Sequence, residues 1–350
     1  MGVCARFANL EICGETKMAL ASVKEAGKHE PLPTMGASFR DVCIAIPSGF
    51  ILESGERLRS PELRVRLYGD ENNPVVIALG GISAGRLVTD TEDCAGWWPH
   101  IVKPGGGVDL NQFCVLGVDF LPNPGETLLT LTTIDQARVI SIALDALDIS
   151  RIHSFIGASY GGMVGLAFAA RYPERLTNLC IISAADRTYP ASTALRGIQR
   201  RIIKFARDCG KPEDGLALAR ELAMTSYRTP EEFADRFSNQ AAPRAGEPYE
   251  VCRYLMARGT DFAMDTNRFV TLSDSIDRHC IDVTAIKARS LLVCVQSDRL
   301  VPPGEMQQMH RRLNNATLLE ISSPFGHDAF LKETNVLSPQ IKKFLEEKNP

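Results

Sequence analysis

Residues 151–173, RIHSFIGASYGGMVGLAFAARYP, constrain this chain more than any other stretch. A short apolar run, Ile152 to Ile156, meets an apolar helix across a turn in which Ser159 is flanked at two residues' distance by Gly157 and Gly161. In such a strand–turn–helix the backbones approach so closely that a Cβ on either flank would clash, while the serine is left strained and exposed. Met163, Leu166, Ala167 and Ala170 then recur at helical spacing, and Pro173 ends the helix. Any glycine-rich turn can hold a serine, so the five residues alone leave a plain turn and a nucleophile both open.

The rest of the chain decides what kind of sheet holds this turn. Arg40–Ile46 and Leu63–Tyr68 alternate as strands around turns at Ser48-Gly49 and Ser54-Gly55. Pro74–Leu79, Gln112–Phe120, Leu179–Ser183, Ser290–Gln296 and Ala316–Ser322 are short apolar runs, the pattern of strands buried on both faces. Helical periodicity separates them: Thr133–Leu147 with Thr133 as its cap, a helix from Pro303, and a last helix over Ser338–Glu347. This alternation predicts an α/β fold, a mostly parallel sheet covered by helices. From residue 186 to 285 helical patterns such as Ser192–Asp208 and Pro212–Ser226 dominate, which predicts a helical insertion. The division expected is therefore an N-terminal extension over 1–36, a core over 37–185 and 286–350, and a helical lid over 186–285.

Charge and cysteine usage exclude several functions. A net charge of −3 with no Lys/Arg block argues against a nucleic-acid partner. No apolar run approaches the roughly 20 residues of a membrane span, and the N-terminus lacks the charged-then-apolar pattern of a signal peptide. Arg6 stands where a myristoylation signal wants Ser or Thr. Ten scattered cysteines without a C-x-x-C pair read as reduced core thiols. Six histidines without ligand spacing support no metal site. A cytoplasmic protein without membrane attachment is the expectation.

A serine nucleophile needs a base and a group that orients the base, in this kind of sheet in the chain order Ser, Asp, His. Asp298, in QSDRLVPP, lies just past one predicted strand and His327, in SSPFGHDAF, just past the next. Either alone is an ordinary loop residue; with Ser159, in this order and at three strand ends, they predict a triad. An oxyanion would take one backbone N–H from Tyr160 and a second from Ile82 in the Gly80-Gly81-Ile82 turn, although a tight turn explains those glycines equally well.

The stretches GGISAGR, GASYGGM with AARYPER, GLALARELAMTSYRTPEEF, YLMARGTDFAMDTNRFVTLSDSIDRH, QSDRLVPP and FGHDAFL resemble the homoserine O-acyltransferase branch of the α/β-hydrolase fold, over about residues 38–347. The resemblance implies a serine acyltransferase with a coenzyme A thioester as co-substrate, no bound cofactor, a helical lid over the triad, a role in methionine biosynthesis and a homodimer packed through the insertion. It also sets Arg220 and Asp328 on substrate-binding positions; a planar guanidinium and a carboxylate suit the two charges of an amino acid. After Asp119 the chain has only LPNPGETLLTLTT, without the longer loop of the acetyl-transferring members. In LGGISAGR and AADRTYPASTALRGIQRRI it is more similar to the shorter members that use succinyl-CoA.

A succinyl group carries a carboxylate that some cation must meet in a dry pocket. Arg86, beside the oxyanion turn, and Arg196, Arg200 and Arg201, on the first insertion helix, are the candidates. Acetyl-CoA as donor, serine as acceptor and water in place of either amino acid remain alternatives for the same triad.

Overall fold

The computed structural model describes residues 37–238, 240 and 244–347; the extension read over 1–36 lies outside them. Two hairpin strands open the fold, β1 (Phe39–Ala45) and β2 (Glu62–Tyr68), paired antiparallel. The buried runs follow as β3 (Val75–Leu79), the two-residue strands β4 (Val102–Lys103) and β5 (Val108–Asp109), and β6 (Cys114–Val118). Next come α1 (Thr133–Ala146), β7 (Ile152–Ala158), α2 (Tyr160–Arg171) and β8 (Leu176–Ile182). β3 begins one residue later than the apolar run because Pro74 has no N–H for the ladder, although its carbonyl accepts from Cys114 N at 3.1 Å.

Five helices then interrupt the sheet: α3 (Pro190–Asp208), α4 (Pro212–Tyr227), α5 (Pro230–Arg236), α6 (Glu250–Thr260) and α7 (Thr266–Asp277). β9 (Arg289–Val295), α8 (Pro303–His310), β10 (Ala316–Ile321), the short α9 (Ala329–Lys332) and α10 (Thr334–Glu346) complete it. The eight-stranded sheet has the order β1-β2-β6-β3-β7-β8-β9-β10, antiparallel at β1-β2 and β2-β6 and parallel from there on. Apolar side chains on its two faces form two cores, one under α1 and α2 and one under α10. Both faces are dry, so β3 and β6 are buried at every position and β7 and β8 at all but one, which explains why these strands read as unbroken apolar runs.

Helix ends depart from the sequence reading in two places. Thr132, not Thr133, caps α1: its hydroxyl accepts from Asp135 N at 3.1 Å and Asp135 Oδ2 accepts from Thr132 N at 3.1 Å. The reciprocal pair decides between two adjacent threonines, because Asp135 stands three residues after Thr132. α10 begins at Thr334 with Pro339 inside it, not at Ser338. Burial of Leu337, Ile341, Phe344 and Leu345 on one face outweighs the single backbone hydrogen bond Pro339 cannot make. The cysteines also need correction: Cys114, Cys180 and Cys294 are buried core thiols, but Cys43, Cys209 and Cys280 are exposed.

Among the described residues no helix is long and apolar enough to cross a membrane.

Candidate active site

Parallel strands deliver their carboxyl ends to one rim, so groups distant in sequence meet there. β7 ends at Ala158 and hands over Ser159, with φ 54° and ψ −122°, a conformation side chains rarely take. What holds it is close backbone packing: a Cβ on Gly161 would sit 2.4 Å from the Leu79 carbonyl oxygen, and Gly161 N donates to Gly80 O at 2.8 Å. The elbow is thereby clamped to the end of β3.

β9 delivers Asp298 and β10 delivers His327. Asp298 is 3% exposed, and its Oδ1 accepts from the backbone of Leu300 at 2.9 Å and Val301 at 3.0 Å, which fixes the carboxylate plane. Its Oδ2 faces His327 Nδ1 at 2.7 Å, and His327 Nε2 faces Ser159 Oγ at 2.8 Å. His327 follows Gly326 at φ 57°, where a Cβ would stand 2.9 Å from the Tyr227 carbonyl at the end of α4. A carboxylate on Nδ1 leaves Nε2 free of its proton in the neutral ring, the tautomer that can take one from a serine hydroxyl.

Two opposed effects set the charge of His327. Burial lowers its pKa, but the charge of Asp298 and the hydrogen bond to it together outweigh burial and raise the pKa above the usual value near 6.5. Free imidazole, the form able to act as base, is then present only above that raised pKa. The acid limb of a kcat/KM profile is accordingly expected above pH 6.5, with activity rising through it. Asp298→Asn removes the raising influence and should shift the limb to lower pH while lowering the plateau. A limb that stays in place in the variant would show that some other group titrates.

In the cavity that Ser159 lines, the backbone N–H groups of Tyr160 and Ile82 donate to no protein acceptor among the described residues. Tyr160 opens α2, whose dipole adds to the attraction for a developing oxyanion. Its side chain is an anchor: 1% exposed, edge-on to Phe120 with centroids 4.9 Å apart, its hydroxyl 2.7 Å from Ser275 Oγ on α7.

A cavity of about 430 Å³ contains Ser159 and His327 and extends among α3, α4 and the loop before α9. Arg220, Asp328 and Arg196 all line it. Arg220 has no ion pair among the described residues; its guanidinium lies over the Phe262 ring at 4.7 Å and the Tyr227 ring at 5.4 Å. Asp328 pairs with Arg228 at 3.3 Å, and burial raises its pKa against the lowering charges of His327, Arg228 and Arg220. Arg228 was not singled out from the sequence, although it lies in the stretch GLALARELAMTSYRTPEEF; only the fold brings it to Asp328.

Arg86 is not brought to this cavity. It donates from Nε to Asp41 at 3.1 Å and from Nη1 to Asp119 at 2.8 Å, and lines an adjoining depression that shares Ser83, Ala84 and Trp97 with the cavity. Proximity to the oxyanion turn in sequence suggested otherwise; its carboxylate partners, 45 and 33 residues away, turn it toward β1 and β6. Arg200 does not line the cavity either but stands behind Arg196, and Arg201 is exposed. Among the described residues no group of three His, Cys, Asp or Glu could hold a metal ion.

An α/β-hydrolase fold model matches residues 74–334. The chain is 41% identical over 281 residues to homoserine O-succinyltransferase from Xanthomonas campestris pv. campestris, covering 79% of this chain and 76% of that one. It is 30% identical over 355 residues to homoserine O-acetyltransferase from Moorella thermoacetica, with 85% and 94% covered. Among solved structures, esterase E22 superposes with a TM-score of 0.79 over 89% of this chain and all of that one at 20% identity, so the fold alone does not separate transfer from hydrolysis. A family match across most of the chain and 41% identity to one acyltransferase decide the membership: the chain belongs to the α/β-hydrolase family, in its homoserine O-acyltransferase branch.

Proposed function

We propose that this protein transfers the succinyl group of succinyl-CoA to the γ-hydroxyl of L-homoserine, giving O-succinyl-L-homoserine and coenzyme A in methionine biosynthesis. The observation that carries this reading is the hydrogen-bonded chain Ser159–His327–Asp298 opening into one cavity with Arg220 and Asp328. His327 Nε2 takes the hydroxyl proton as Ser159 Oγ bonds to the thioester carbon, and the N–H groups of Tyr160 and Ile82 receive the oxyanion. Collapse breaks the C–S bond, the proton passes to the thiolate, and acyl-Ser159 remains. Homoserine enters with its α-carboxylate on Arg220 and its ammonium on Asp328. His327 then deprotonates its hydroxyl, which attacks the acyl carbon; collapse breaks the bond to Ser159 Oγ, and the proton returns there.

The insertion α3–α7 acts in this reading as a lid, since cavity residues such as Arg196 and Met224 come from it. Exposed Ile198 and Phe205 on α3 and Leu218 on α4 support a homodimer packed through the same helices. A cytoplasmic location fits a consumer of acyl-CoA.

Water could replace homoserine without any change in the triad, and serine, one methylene shorter, differs by only about 1 to 3 kcal/mol of discrimination. Purified protein given acyl-CoA and millimolar homoserine is expected to make O-acyl-homoserine faster than free acid, and to use homoserine in preference to serine. Hydrolysis outrunning transfer would end the transferase reading; a clear preference for serine would replace the acceptor.

A further inference from the structure

One wall of the cavity, built by α3 and α7, carries charge that neither the triad nor the amino-acid acceptor uses. Arg196 and Arg200 stand four residues apart on α3 and converge on Asp277 at the end of α7. Arg196 Nε donates to Asp277 Oδ1 at 2.8 Å, and its Nη2 donates to Thr188 Oγ1 at 2.7 Å. Arg200 Nη1 lies 2.7 Å from Asp277 Oδ2 and donates to Ser273 O and Oγ at 3.0 Å. The three side chains are 13%, 20% and 8% exposed.

Two cations share one anion, so the cluster keeps a surplus of one positive charge in a wall largely withdrawn from water. Of the three, Arg196 lines the cavity, beside Ser192, Gln199 and Ser273, and its Nη1 donates to no acceptor among the described residues. Arg196 shares that cavity with Ser159 and His327. Because Asp277 and Thr188 hold the guanidinium in place, an incoming anion would order little on binding. An anion here would also neutralise the surplus that Asp277 leaves, which offsets much of the anion's own desolvation.

We propose that Arg196, braced by Asp277 and Arg200, binds the free carboxylate of a dicarboxylic monoacyl group carried on Ser159, and so selects a succinyl over an acetyl donor. The proposal rests on the acyl-transfer reading above and assigns the donor carboxylate to the α3/α7 wall, apart from the acceptor charges on α4 and the loop of Asp328.

The test removes the charge from either side. Succinyl-CoA, its ω-methyl ester and acetyl-CoA are compared as donors to homoserine by kcat/KM, in wild type, Arg196→Gln and Arg196→Lys. Wild type should favour succinyl over the methyl ester by roughly 30-fold or more, the size expected for a charge-assisted hydrogen bond. Arg196→Gln should collapse that ratio and the succinyl-to-acetyl ratio together, Arg196→Lys should restore part of both, and the KM for homoserine should follow neither. Labelling Ser159 with a fluorophosphonate counts folded sites in each variant. Equal use of succinyl-CoA and its methyl ester by wild type overturns the proposal even if no variant folds, as does an acetyl-CoA preference of about tenfold. Arg196→Gln lowering all donors alike also overturns it and leaves a purely structural role. Transfer from some donor without carboxylate discrimination defeats this inference alone; no O-acyl-homoserine from any donor defeats the underlying reading as well.

Discussion

Ser159→Ala is expected to lower turnover by on the order of 10⁴-fold or more while leaving the fold and its thermal midpoint nearly unchanged. The hydroxyl is the atom that His327 Nε2 faces at 2.8 Å, and no other hydroxyl in the described residues bonds to that nitrogen. Alanine keeps the backbone demand, since the turn at φ 54° is imposed by β7, Gly161 and the end of β3 rather than by the side chain. What is lost is the covalent route, and Asp298 then orients a base, His327, that has no serine hydroxyl to deprotonate. Because the three act as a unit, Ser159→Ala/His327→Ala should be scarcely worse than Ser159→Ala alone. Rapid mixing of wild type with acyl-CoA should also add one acyl mass to the peptide carrying Ser159, and the variant should add none. Near-full activity in Ser159→Ala would refute the covalent mechanism.

The triad was legible in sequence because the fold makes it so. Each of its residues leaves the carboxyl end of a parallel strand, and buried parallel strands announce themselves as apolar runs; Asp298 and His327 could be placed by counting past Val295 and Ile321. Charged partners were not legible. Arg86 and Arg196 both looked like free cations near the site, yet Arg86 is held by Asp41 and Asp119 outside the cavity, while Arg196 is held by Asp277 inside it. Nothing local distinguishes the two, because an ion pair between residues tens of positions apart depends on how β1, β6 and α7 pack. The same reason hid Arg228 behind Asp328 and the Ser275 hydroxyl behind Tyr160. Caps stand between these cases: Thr132 was within reach of local chemistry, because its partner Asp135 is three residues away.

Arg220→Leu carries the second large effect, expected as a loss of roughly 10²-fold in kcat/KM for homoserine, about 3 kcal/mol for a charge-assisted bidentate contact. Arg220 is half-buried and clamped between the Phe262 and Tyr227 rings, with no carboxylate paired to it among the described residues. The aromatic faces hold the guanidinium without occupying its N–H fork, so that fork is ready for a planar carboxylate. Asp328 supplies the complementary charge; burial raises its pKa, and an ammonium seated beside it would favour the ionised form. In a two-step mechanism the variant should fail chiefly at the second step. Acyl-Ser159 still forms, but homoserine arrives poorly oriented and water has longer to compete. The ratio of free acid to O-acyl-homoserine should therefore rise as kcat/KM for homoserine falls, a signature that a merely destabilised protein would not give. Arg220→Lys keeps the charge and loses the fork, so it should recover only part of the transfer. If Arg220→Leu leaves both the homoserine kcat/KM and the product ratio unchanged, the acceptor carboxylate is held elsewhere in the cavity, which Arg228, 8% exposed and paired with Asp328 and Glu232, also lines.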